Sequence, residues 1–235
     1  MELNTKTTIP AGFLLIDKPK EWTSHDVVGY LRGALRIKKI GHAGTLDPFA
    51  TGLLIVGVGR EATKRIDTFR DLQKTYEAII MLGASSDTQD KTGSITKKEQ
   101  APTPTKKEIE TVLHTYIGEQ TQIPPMYSAK KIKGKKLYEL AREGKEIERA
   151  PHDITIHSIT LISYNHPHLE IRVTCSKGTY IRTLAHDIGK TLKTDAYCEE
   201  LRRTAIGTHN IKEASSPKEI TLENYLKMKK DINFA

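Results

Sequence analysis

The chain has 235 residues, with 37 Lys plus Arg against 29 Asp plus Glu, a formal net charge of +8 and a pI near 9.3. That length suits one large domain with its own core, and that balance suits a polyanionic partner, because each phosphate neutralised releases counterions. Two cysteines, Cys175 and Cys198, without any C-x-x-C, exclude a disulfide framework and a structural zinc, and the apolar run 12–16, ended by Asp17, is too short for a leader or a span, so a soluble, cytoplasmic protein with no membrane role is expected.

Residues 12–17 read as a buried strand closed by Lys18-Pro19. Thr23 and Asp26 have capping-box spacing, and Val27, Val28, Leu31, Ala34 and Leu35 recur with helical period, so a helix follows. Leu53–Val58 and Thr75–Leu82 read as strands, and Tyr76 on the second shares a face with Ala78 and Ile80. Residues 83–104 are polar and read as a long loop. Thr105 and Glu108 form a second capping box, ahead of an apolar face of Ile109, Val112, Leu113, Tyr116 and Ile117. Residues 154–164 and 169–175 alternate on either side of Asn165-His166-Pro167, the pattern of an antiparallel hairpin. Ile181, Leu184, Ala185, Ile188 and Leu192 predict a helix, and Ser216-Pro217 starts a last one, reaching Lys230. Strands and helices interleave without a βαβ rhythm, which predicts a mixed α+β fold.

Between the first two strands lies Gly41-His42-Ala43-Gly44-Thr45-Leu46-Asp47-Pro48-Phe49-Ala50-Thr51-Gly52. Glycine and proline constrain the backbone here, and the segment displays one carboxylate, Asp47, near one imidazole, His42. The pattern is equally that of a plain turn, since Asp-Pro commonly starts one. Lys130, Lys131, Lys133, Lys135 and Lys136 crowd the first half of 123–151, beside Tyr127 and Tyr138. Such a segment fits a groove for a phosphate backbone, or a solvated surface hairpin. Ser176 to Arg182 joins a strand to a helix, where Lys177 and Arg182 could hold an anion; alternatively Arg182 pairs with a buried carboxylate or sits on the surface. Gly57-Val58-Gly59-Arg60-Glu61-Ala62 fits a dinucleotide-binding turn, but no acid closes the next strand.

Taken in order, the glycine loop, Asp17-Lys18-Pro19, Lys74-Thr75-Tyr76, Pro124 to Ala129, Lys135 to Tyr138, Cys175 to Arg182 and Leu201-Arg202-Arg203 closely resemble the bacterial TruB family, the tRNA pseudouridine-55 synthases, from about residue 11 to 207. The resemblance implies a pseudouridine synthase fold, with a mixed, mainly antiparallel sheet flanked by helices and an inserted basic thumb at about 123–151. It implies a catalytic domain over 1–208 and a short helical tail over 209–235, too short for the RNA-binding PUA domain that many members carry. The implied activity converts one uridine of the tRNA T-arm to pseudouridine with no cofactor and no metal, in a monomer that needs no protein partner. By the family's pattern Asp47 is the nucleophile and Arg182 pairs with the catalytic carboxylate. His42 contacts the T-loop, Tyr76 stacks on the flipped uracil, Tyr180 and Leu201 line the pocket, and Lys18 with Pro19 supports the loop. Lys130, Lys131 and Lys133 belong to the clasping thumb. A non-catalytic RNA-binding module would explain the charge but give Asp47 no task, and a nucleotide-cofactor enzyme would use the Gly57 turn instead.

Overall fold

The computed structural model describes residues 9–128, 131–132, 134–145 and 147–231. The chain forms two compact units, residues 1–72 with 205–235, and residues 73–204.

The first unit begins with β1 (Gly12–Lys18), followed by α1 (Ser24–Leu35), β2 (Ile40–Ala43), β3 (Thr51–Val58) and the short α2 (Arg60–Lys64). β1 and β2 both pair antiparallel with β3, in the registers Gly12↔Val58 and Ile40↔Val58. Alternation along β1 sends Leu14 and Ile16 into one core with Val27, Leu31 and Val56, while Phe13 and Leu15 enter another with Leu53, Ile55 and Phe69. Burial on both faces explains why these strands read as continuous apolar runs. The α1 capping box is present: Thr23 Oγ1 accepts from Asp26 N at 3.0 Å, and Asp26 Oδ2 accepts from Thr23 N at 2.7 Å.

In the second unit β4 (Lys74–Leu82) leads to β5 (Ala84–Ser86) and β6 (Ile95–Lys97), then α3 (Lys106–Thr115) and β7 (Gly118–Gln122). The two-residue strands β8 (Lys131–Ile132) and β9 (Lys135–Lys136) pair with each other and precede α4 (Leu137–Arg142). The long β10 (His152–Asn165) and β11 (His168–Cys175), α5 (Ile181–Thr191) and β12 (Ala196–Ile206) complete it. The strand order is β12-β4-β11-β10-β7. The chain then re-enters the first unit through β13 (His209–Asn210), paired with Ala205–Ile206, and α6 (Tyr225–Met228). Ile220 and Tyr225 complete the core around α1.

Two expectations are corrected, and one disfavoured alternative is set aside. Residues 83–104 are not a plain loop: β5 and β6 form an antiparallel hairpin inside them. Residues 217–230 are not one helix. The Ser216–Glu219 capping box closes a single 3₁₀ turn over Pro217–Glu219, and the Asn224 side chain bonds Thr221 N (2.9 Å) and Glu219 O (2.7 Å), so local side-chain bonds displace the helical ladder. The Gly57–Ala62 match is not a dinucleotide turn, because β3 runs antiparallel to both β1 and β2 and α2 has only 5 residues. Strand β12 has no counterpart among the expected elements.

Candidate functional site

In the first unit the loop joining β2 to β3 is anchored from below and braced from one side. Leu46, Phe49 and Ala50 are buried, and Gly44 and Gly52 adopt φ values of 73° and 106°, which side-chain-bearing residues avoid. The Ser24 hydroxyl, at the start of α1, accepts from Leu46 N at 2.9 Å and donates to Leu46 O at 3.2 Å. Lys18, 0% exposed, donates from Nζ to Trp22 O at 2.6 Å, Pro19 O at 2.9 Å and Pro48 O at 3.4 Å. Pro48 O also accepts from Glu21 N at 2.8 Å. A buried ammonium is tolerated only when oxygens replace its water, and three carbonyls do so here. Asp47 sits between these anchors in a turn closed by Ala50 N on Asp47 O at 3.1 Å, and it remains half-buried. His42 lies on β2, also half-buried, with its ring edge-on to His25 at 5.6 Å.

The second unit supplies the other expected residues. Tyr76 is on β4 opposite Val173, half-buried. Leu201 is buried on β12. Tyr180 caps the N-terminus of α5, and Arg182 on the first turn is 2% exposed. Arg182 donates to Asp90 Oδ2 at 3.1 Å, Thr88 O at 3.0 Å and Tyr127 O at 2.7 Å. Of the alternatives for Arg182, pairing with a buried carboxylate is therefore realised, with Asp90. Asp90 Oδ1 in turn accepts from Thr88 Oγ1 at 2.9 Å, Thr92 N at 2.9 Å and Thr92 Oγ1 at 2.5 Å. These bonds give the buried carboxylate the hydrogen-bond partners that burial demands.

Asp90, Gln122 and Ser24 do not stand out in the sequence. The T-x-D-x-T spacing of Thr88, Asp90 and Thr92 is a local turn signal that marks Asp90 weakly; nothing local marks Gln122. Lys130 and Lys133 lie outside the described residues; Lys131 contributes backbone to β8. Burial pushes the Cys175 thiol up to about 11, so it stays protonated at neutral pH and is no nucleophile. Among the described residues no three His, Cys, Asp or Glu converge as metal ligands, and no helix is long and apolar enough to cross a membrane.

Comparison with known proteins bears on the family and the fold. The family model described as TruB family pseudouridylate synthase, N-terminal domain, matches residues 32–181. The tRNA pseudouridine synthase B of Desulfotalea psychrophila is 47% identical over 219 residues, covering 91% of this chain and 89% of that protein. Its namesake from Thermosipho melanesiensis is 44% identical over 221 residues, covering 94% and 72%. Among solved structures, the archaeal box H/ACA Nop10–Cbf5 complex contains a chain that superposes with a TM-score of 0.67 at 24% identity. It covers 92% of this chain, which spans 55% of that one, and at this identity the likeness speaks to fold alone.

Proposed function

Since the chain belongs to the TruB family of pseudouridylate synthases, we propose that it isomerises one uridine in the T-arm of tRNA, position 55, to pseudouridine. The observation that carries this reading is a carboxylate, Asp47, on a loop whose main chain is fixed by Lys18 and Ser24.

A uridine folded into a T-arm must first leave its stack, at a cost of a few kcal/mol. The lysines of 123–151, Lys130, Lys131 and Lys133 among them, hold the phosphates, and His42 meets the T-loop. The freed uracil stacks on Tyr76 and lies against Tyr180 and Leu201. Asp47 attacks as nucleophile, forming a covalent bond to the nucleotide. The glycosidic bond to N1 breaks, the uracil turns, and a carbon–carbon bond to C5 replaces it, with the C5 proton lost, a proton taken up at N1 and the carboxylate released. The redox state is unchanged, so the reaction needs no electron carrier. Arg182 keeps the catalytic carboxylate ionised and oriented. On this reading 123–151 is the clasp, residues 209–231 complete the catalytic fold by packing against α1, and the protein acts as a cytoplasmic monomer on free tRNA.

Incubation with an unmodified tRNA transcript, followed by mapping of pseudouridine, tests this. One new pseudouridine in the T-arm is expected. Its absence under conditions where the transcript binds would reject the assignment.

A further inference from the structure

The turn that carries Tyr180 is gripped by two side chains for which the proposed chemistry has no use. Gln122, 4% exposed at the end of β7, donates from Nε2 to Tyr180 O at 3.0 Å and accepts from Tyr180 N at 2.7 Å through Oε1. One amide thus fixes both main-chain groups of a single residue, at a helix start with no side-chain cap of its own. His152, first residue of β10, bonds through Nε2 to Gly178 O at 3.0 Å, and its ring stands edge-on to the Tyr180 ring at 6.1 Å and 86°. A carbonyl only accepts, so His152 carries a proton on Nε2. Gln122 and His152 are direct register partners across the β7–β10 pair, so one rung of the sheet supplies both grips.

We propose that Gln122 and His152 are positioning residues that set the ring of Tyr180 for the flipped base. The inference rests on the reading of Tyr180 as a pocket residue. The main-chain clamp fixes where the Tyr180 Cα–Cβ bond points, and the imidazole edge limits the ring's remaining rotation. Neither side chain touches the reacting atoms. Their place in the chain is also telling. The lysine-rich segment 123–151 leaves the sheet immediately after Gln122 and returns immediately before His152, so the residues at both ends of the clasp hold the pocket ring.

The test uses the full-length protein with 3-fluorotyrosine at position 180, read by ¹⁹F NMR, together with single-turnover rates and dissociation constants for a T-arm stem-loop. Gln122→Met keeps the side chain's length and removes both bonds. It should slow the single-turnover step about 10- to 100-fold, in line with the loss from a small misplacement. The stem-loop dissociation constant should change by less than about twofold, since rate and binding separate when only positioning is lost. The fluorine line should broaden or split. His152→Ala should act in the same direction, and His152→Phe, which restores a ring edge, should recover part of the rate; this pair carries the test if Gln122→Met does not fold. Unchanged fluorine lines and unchanged rates in these variants, while Tyr180→Ala is slow, would overturn the clamp and leave the pocket role of Tyr180 standing. Altered lines in a protein whose wild type makes no pseudouridine would instead uphold the clamp and reject the assigned activity.

Discussion

The Asp47 loop and the Ser176–Arg182 turn are both rigid joints beside a strand, yet they are held by different means. The first is fixed from nearby in the chain: Ser24 reaches Leu46 across 22 positions and Lys18 reaches Pro48 across 30. The second is fixed from afar, by Gln122 across 58 positions and Asp90 across 92. In the nearer joint the bonds from Ser24 and Lys18 end on main-chain groups. The farther joint depends on an ion pair and an amide clamp, so its shape depends on particular side chains.

Substitutions can break this contrast. The largest effect should come from Asp47→Asn or Asp47→Ala, which keep both side chains, Ser24 and Lys18, that bond the loop's main chain. Each should fold and bind tRNA but lose about 10⁴-fold or more in turnover, by analogy with deleting a nucleophile; melting curves and pseudouridine yield check both halves. Replacing Lys130, Lys131, Lys133, Lys135 and Lys136 by Gln should weaken tRNA binding. It should also lower the slope of log affinity against log salt by roughly 0.7–0.9 for each phosphate that the variant no longer neutralises, read from titrations at several salt concentrations. Asp90→Ala should destabilise by about 3–5 kcal/mol, because it removes the carboxylate that pairs with the buried Arg182 guanidinium. In the other joint, Lys18→Met should cost about 1–3 kcal/mol by leaving carbonyls unsatisfied, which chemical denaturation will show. A smaller loss from Asp90→Ala than from Lys18→Met would reverse the contrast between the two joints.

The smallest effect sharpens the baseline. Thr23→Ala should cost about 1 kcal/mol through loss of the α1 cap. The Thr23 hydroxyl, and then its main-chain N–H, hold the Asp26 carboxyl below its ordinary 3.8. A lowered carboxyl stabilises the fold above 3.8 and loses that contribution as pH falls through the lowered value. The gap between wild type and Thr23→Ala should therefore narrow in acid, as thermal unfolding at neutral and acid pH will show.

These distances along the chain also explain what the sequence alone discloses. The two capped helices, the β10–β11 hairpin and the constrained Asp47 loop follow from residues within a few positions of one another, and all are legible. The buried Lys18 is legible only through resemblance to a family, since its three acceptors come from a turn and a loop. The Asp90–Arg182 pair and the Gln122 clamp join residues whose local surroundings look ordinary, and no short-range pattern announces them. Strand β12 escapes a reading by pattern because its middle, Glu199 to Thr204, is mostly charged or polar: Arg203 is buried there, and apolar alternation is a poor guide. The helix expected over 217–230 does not form because Asn224 and Glu219 satisfy the backbone locally.

Because residues 122 and 152 face each other across one rung, everything between them is an excursion whose two ends are already joined by the sheet. Changing the length of such an excursion alters closure entropy only logarithmically, about 0.6 kcal/mol for each doubling. On the proposed reading of 123–151 as a clasp, its length can therefore vary at little closure cost while the β7–β10 pairing stays, provided the Tyr127 carbonyl keeps its bond from Arg182.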